Sequence, residues 1–124
     1  ERQHEKGRLT ARERIAALLG ADPAELIFTA GGTEANNTAI FGLVRGAGGA
    51  LWLTPGEHPA NLEACKALLR RGYRLERLPL DAAGRVMPCP VETPPGEARL
   101  LAAILAHNET GVLQDPAVLR DWAT

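Results

Sequence analysis

Cysteine is nearly missing from this chain. Cys65 and Cys89 are the only two, too few for the disulfide framework of a small secreted domain. A reducing cytoplasm is the default setting that follows. No apolar run approaches the roughly 20 residues of a membrane-spanning helix. No basic-then-apolar leader pattern stands at the start. An excess of one charge sign is missing too: 14 Lys+Arg stand against 15 Asp+Glu, interleaved, for a net charge of −1. Neither nucleic acid nor a membrane surface is favoured as a partner. Two nucleotide motifs are absent. Without Gly-x-x-x-x-Gly-Lys-Ser/Thr there is no nucleoside-triphosphate loop, and without Gly-x-Gly-x-x-Gly after a strand there is no dinucleotide fingerprint. Lysine itself is scarce, with only Lys6 and Lys66 beside twelve arginines.

What is present alternates. With 124 residues and 45% apolar content, one unit spanning 1–124 with its own core is the natural expectation. Thr10 and Glu13 make a capping box that opens a helix expected to bury Ile15, Leu18 and Leu19, with Gly20 closing it. Leu26 to Thr29 reads as a short buried strand. A helix over about 34–45 follows, with Ala35, Ala39, Ile40, Leu43 and Val44 on one face. Leu51-Trp52-Leu53 is a second strand. Pro59 starts a helix that turns Leu62, Cys65 and Leu69 to one side, and Gly72 stops it. A third strand covers about 73–78, and Pro88 to Pro95 is a surface loop. Leu100 to Leu105 has the continuous apolar run of a strand buried on both faces. Asp115-Pro116 opens a last helix. This rhythm predicts an α/β fold, a three-layer α/β/α sandwich with a mainly parallel sheet.

Open parallel sheets bind ligands beyond the carboxyl ends of their strands. Three such ends carry polar clusters: Gly31-Gly32-Thr33, Pro55 to His58, and Ala106 to Gly111. The first reads as a glycine turn into a helix start. The free N–H groups of Gly32, Thr33 and Glu34, with the Thr33 hydroxyl, make a phosphate cradle there. A plain structural turn is the competing reading. His58 could equally cap the helix that follows it, and Asn108 and Thr110 could be ordinary turn residues. Glu57, His58, His107 and Glu109 lack the spacing of a zinc site, so no metal is expected. Cys65 lies on an apolar stripe and reads as core; Cys89, between Pro88 and Pro90, reads as a loop thiol.

Three segments together carry a family resemblance. They are Phe28 to Asn37 (Phe-Thr-Ala-Gly-Gly-Thr-Glu-Ala-Asn-Asn), Glu57-His58-Pro59, and Asn108 to Gln114 (Asn-Glu-Thr-Gly-Val-Leu-Gln). In this order and spacing the chain, from about Ala11 on, resembles the front part of a cysteine desulfurase. Those are pyridoxal 5'-phosphate (PLP) enzymes of the class V aminotransferase superfamily. The resemblance implies that Gly32 and Thr33 hold the PLP phosphate, that His58 stacks on the ring and serves catalysis, and that Asn108 bonds the ring's phenolic oxygen. His107 departs from the family, which more often has a second asparagine there.

The activity implied is removal of sulfur from cysteine, giving alanine and an enzyme persulfide. Sulfur metabolism, iron–sulfur cluster assembly, a homodimer and a sulfur-acceptor protein come with it. Another class V transaminase or lyase, or a non-catalytic fragment that binds a phosphate ligand or a partner, are the alternative readings. The family's attachment lysine, its Asp-x-x-Gln pattern and its small C-terminal domain have no counterpart within the 124 residues. The chain is therefore expected to be part of the large PLP-binding domain of something longer, and inactive alone.

Overall fold

A computed structural model describes residues 7–88 and 98–123. It divides into two compact units, Glu1–Ala35 and Asn36–Thr124. The predicted Pro-rich loop and Cys89 lie outside the described residues, apart from Pro88.

In the first unit, α1 (Ala11–Leu19) opens on the predicted capping box. The Thr10 hydroxyl accepts from the Glu13 N–H, and the Glu13 carboxylate accepts from the Thr10 N–H at 2.6 Å. Gly20 closes the helix at φ 66°, a left-handed turn that glycine enters without strain. The burial expected of this helix is not found. Ala16 is its buried residue, while Ile15, Leu18 and Leu19 are 38%, 84% and 65% exposed. A short 3-10 turn, Pro23–Glu25, is capped by Asp22. The guanidinium of Arg12 donates to the carbonyls of Pro23 and Leu26 and lies 4.9 Å over the Phe28 ring. The predicted strand at 26–29 forms no ladder, with Ile27 72% and Phe28 55% exposed. A strand needs a neighbour to take its N–H and C=O groups, and the described residues of this unit supply none.

The second unit carries most of α2 (Gly32–Leu43), then β1 (Gly49–Leu53), α3 (Pro59–Leu68), a 3-10 turn Leu69–Arg71, β2 (Tyr73–Arg77), β3 (Ala98–Ala102) and α4 (Pro116–Ala123). The sheet order is β2-β1-β3, and both pairings are parallel. Leu51 faces Leu75 on one side and Leu100 on the other.

Alternation along β1 makes the layers. Leu51 and Leu53 join Ile40 and Val44 and the α3 residues Ala64, Cys65 and Leu68. Trp52 points the other way, to Trp122 of α4 at 5.1 Å between ring centroids, beside Leu78 and Val86. The sandwich of helix, parallel sheet and helix is thus as predicted.

Three packing expectations shift. Leu68, three residues after Cys65, takes the buried place predicted for Leu69, which is 42% exposed where the helix tightens to 3-10. The last strand is Ala98–Ala102 and only half-buried, because β3 is an edge among the described residues. Residues 103–105 lead out of the sheet, and Leu105 is exposed. On α2, Ile40 and Val44 are buried, whereas Leu43 is 68% exposed.

Candidate functional site

Because β1 and β3 are parallel neighbours, their carboxyl ends reach the same edge. After β1 the chain turns at Thr54-Pro55-Gly56-Glu57, closed by the Glu57 N–H on the Thr54 carbonyl at 3.2 Å. Proline second and Gly56 third, at φ 85°, is the pattern of a type II turn. The turn delivers two side chains in opposite senses. Glu57 is buried, 8% exposed, and accepts from Thr54 Oγ1 at 2.8 Å, Asn61 Nδ2 at 2.6 Å and the Ile104 N–H at 2.6 Å. His58 is exposed and caps α3: its Nδ1 accepts from the Ala60 N–H at 3.1 Å, with Pro59 in the first helical position. The capping role open in the sequence is therefore real. It holds the ring in the tautomer with its proton on Nε2.

After β3, residues 105–114 form a narrow hairpin. Ala106 bridges Leu113, the His107 N–H reaches the Val112 carbonyl at 2.9 Å, and Gly111 turns at φ 72°. Asn108 sits at the tip and is exposed. The half-buried ring of His107 organises that tip: Nδ1 accepts from the N–H groups of Glu109 and Thr110 at 3.3 and 3.4 Å. Its Nε2 lies 3.2 Å from where a Cβ on Gly56 would stand, so the two loops touch. Buried Gln114 ties the hairpin to the 80–86 turn. Its Oε1 accepts from the Val86 N–H at 2.8 Å and its Nε2 donates to the Gly84 carbonyl at 2.9 Å. A cavity of about 310 Å³ opens beside these loops, lined among others by Thr54, Gly84, Ile104, His107 and Thr110.

Gly32 and Thr33 open α2 in the first unit, two residues earlier than predicted. The Ala35 N–H is the first to find a carbonyl, that of Gly31 at 3.0 Å. The N–H groups of Gly32, Thr33 and Glu34 have no partner within the helix. The Glu34 carboxylate folds back to the Ala30 N–H at 2.7 Å, and Thr33 is exposed. Neither Gly31 nor Gly32 has positive φ, and a Cβ on either would meet nothing within 4 Å. Among the described residues, neither backbone conformation nor packing requires these glycines.

The remaining chemistry is quiet. Cys65 is fully buried, and its thiol is pushed up to about 11, first by burial and then by the Glu57 charge. It is core, as its helical stripe implied. Lys66 pairs with Glu63 at 2.7 Å on an exposed flank.

These features define an α/β module with polar loops at the carboxyl edge of a parallel sheet. The chain belongs to the aminotransferase class-V family, whose pattern matches residues 2–123. It is 40% identical over 108 residues to the mitochondrial cysteine desulfurase of Drosophila melanogaster, covering 84% of this chain and 23% of that protein. It is 38% identical over 109 residues to cysteine desulfurase IscS of Shewanella piezotolerans, covering 85% and 27%. Among solved structures, DndA from Streptomyces lividans superposes with a TM-score of 0.73 at 35% identity, over 90% of this chain and 33% of that one. SspA in complex with cysteine gives 0.67 at 34%, over 84% and 31%. The chain spans about a quarter of the length of these curated relatives.

Proposed function

We propose that this chain is a segment of the PLP-binding large domain of a cysteine desulfurase-like enzyme, which takes sulfur from cysteine to leave alanine and an enzyme persulfide. The observation that carries the reading is the open helix start at Gly32-Thr33, inside a chain that belongs to the aminotransferase class-V family. Its three N–H groups, without a partner among the described residues, its hydroxyl and the clear space fit a phosphate. PLP supplies an electron sink for bond breaking at the amino-acid substrate.

The chain's own residues bind and orient. Gly32 and Thr33, in the first unit, would donate to the phosphate. His58, fixed by its cap bond, offers an exposed ring for stacking and Nε2 for proton transfer. Asn108, exposed at the hairpin tip, would offer its amide to the cofactor's ring oxygen. Cysteine as substrate is supported by the names of the relatives and by the neighbour solved with cysteine. A homodimer, a sulfur-acceptor protein and a cytoplasmic setting complete the proposal.

The attachment lysine is to be found in the longer protein. The 124 residues alone therefore bind PLP weakly and release no sulfide. The test is a PLP titration by absorbance on the 124 residues and on the complete protein. A visible cofactor band in the complete protein alone is expected. A stable band with sulfide release from the 124 residues would refute the reading.

A further inference from the structure

Glu57 is the one acidic side chain among the described buried polar residues. Burying a carboxylate is costly unless donors surround it. Here three do, and they come from three separate places. Thr54 is at the exit of β1, Asn61 is in the first turn of α3, and Ile104, 47 residues beyond Glu57, is at the exit of β3. The same carboxylate therefore ties the turn that carries His58 to the segment that runs into the Asn108 hairpin. The contact of His107 with Gly56 lies beside this tie. One acceptor site, Oε1, serves both Thr54 and Ile104, while Oε2 serves Asn61. The Asn61 Oδ1 is buried with no hydrogen-bond partner.

From this we infer that Glu57 is a positioning residue: it sets the spacing between His58 and Asn108 by clamping the exits of β1 and β3. The inference deepens the proposed function and rests on it. The clamp works through hydrogen-bond geometry, not through charge. A glutamine at 57 keeps Oε1 for Thr54 and Ile104. Its new amide then faces Asn61, which turns its own amide so that the orphaned Oδ1 accepts. A shorter or truncated side chain cannot reach Ile104 and Asn61 together.

The experiment uses the complete PLP-loaded protein, as wild type, Glu57→Ala, Glu57→Asp and Glu57→Gln. Three readouts are taken: kcat and KM for cysteine, the visible circular dichroism of the cofactor, and hydrogen exchange at the Ile104 amide. For Ala and Asp, kcat falls about tenfold to a hundredfold, as for a small misplacement of catalytic groups, while KM stays within about threefold. The dichroic band changes and Ile104 exchanges faster. Gln restores all three. Asp keeps the test open if Ala does not fold.

Turnover unchanged within about twofold in folded Glu57→Ala, or Gln as impaired as Ala, would overturn the inference. If wild type holds no PLP, the proposed function fails instead. Ile104 exchange without cofactor then decides the clamp alone: faster in Ala but not Gln supports it, unchanged overturns it.

Discussion

Gln114 offers a prediction whose size can be worked from its surroundings. Its side chain satisfies the Val86 N–H at 2.8 Å and the Gly84 carbonyl at 2.9 Å, in a region where Val86 and Gln114 are both buried. Gln114→Ala leaves the Val86 N–H without a partner and away from water. An orphaned buried donor costs about 1–3 kcal/mol. The Gly84 carbonyl, half-exposed, recovers water and adds little. With a urea dependence of about 2 kcal/mol per molar for a unit of this size, the midpoint moves down by roughly 0.5–1.5 M. Trp52 and Trp122 pack together, tilted, in the cluster that contains Val86, so tryptophan fluorescence reads the loss where it occurs.

Gln114→Glu separates the two bonds. It keeps the acceptor for Val86 but sets a carboxylate oxygen against the Gly84 carbonyl. Two acceptors then face each other, so this variant is destabilised at neutral pH, read by the same urea midpoint. An unchanged midpoint for Gln114→Ala, with unchanged exchange of the Val86 amide, would refute the reasoning.

Other outcomes follow from the same structure. In the complete protein, Thr33→Ala weakens PLP retention by the roughly 1.5–3 kcal/mol of a hydrogen bond to a charged group, about tenfold to a hundredfold in Kd, read by cofactor titration. His58→Ala lowers kcat more than it lowers PLP retention, and steady-state kinetics beside the same titration separate the two. The Cys65 thiol, pushed from 9.0 to about 11, ionises later in the folded chain than in the unfolded one. Its contribution to stability is therefore full below about pH 9 and is lost as pH rises toward 11. Denaturation midpoints across that range, wild type against Cys65→Ala, measure it, and a thiol reagent at pH 8 leaves the folded site unmodified.

Local patterns showed the layered fold well and the long-range contacts poorly. The apolar run Leu51-Trp52-Leu53 marked a strand, and the structure packs both of its faces. The run at Leu26 to Phe28 looked the same locally. Whether it forms a ladder depends on a neighbouring strand, which no local pattern reports. Ile15, Leu18 and Leu19 likewise have helical spacing but no cover in their unit.

At the site, the Glu57-His58-Pro59 segment drew attention through its histidine. The buried role of Glu57 stayed hidden because its partner, Ile104, is 47 residues away. The support that Gln114 gives its loop depends on nonlocal geometry too, with Val86 28 residues away, whereas His107 caps its own turn through local bonds to Glu109 and Thr110.

The most direct test of the account is product analysis. The complete protein is loaded with PLP and given cysteine with a thiol reductant, and sulfide and alanine are quantified together. Sulfide and alanine in equal amounts, both lost in the His58→Ala protein, are the predicted result. A folded, PLP-loaded protein that leaves cysteine unchanged, or converts it without releasing sulfide and alanine in step, would contradict it.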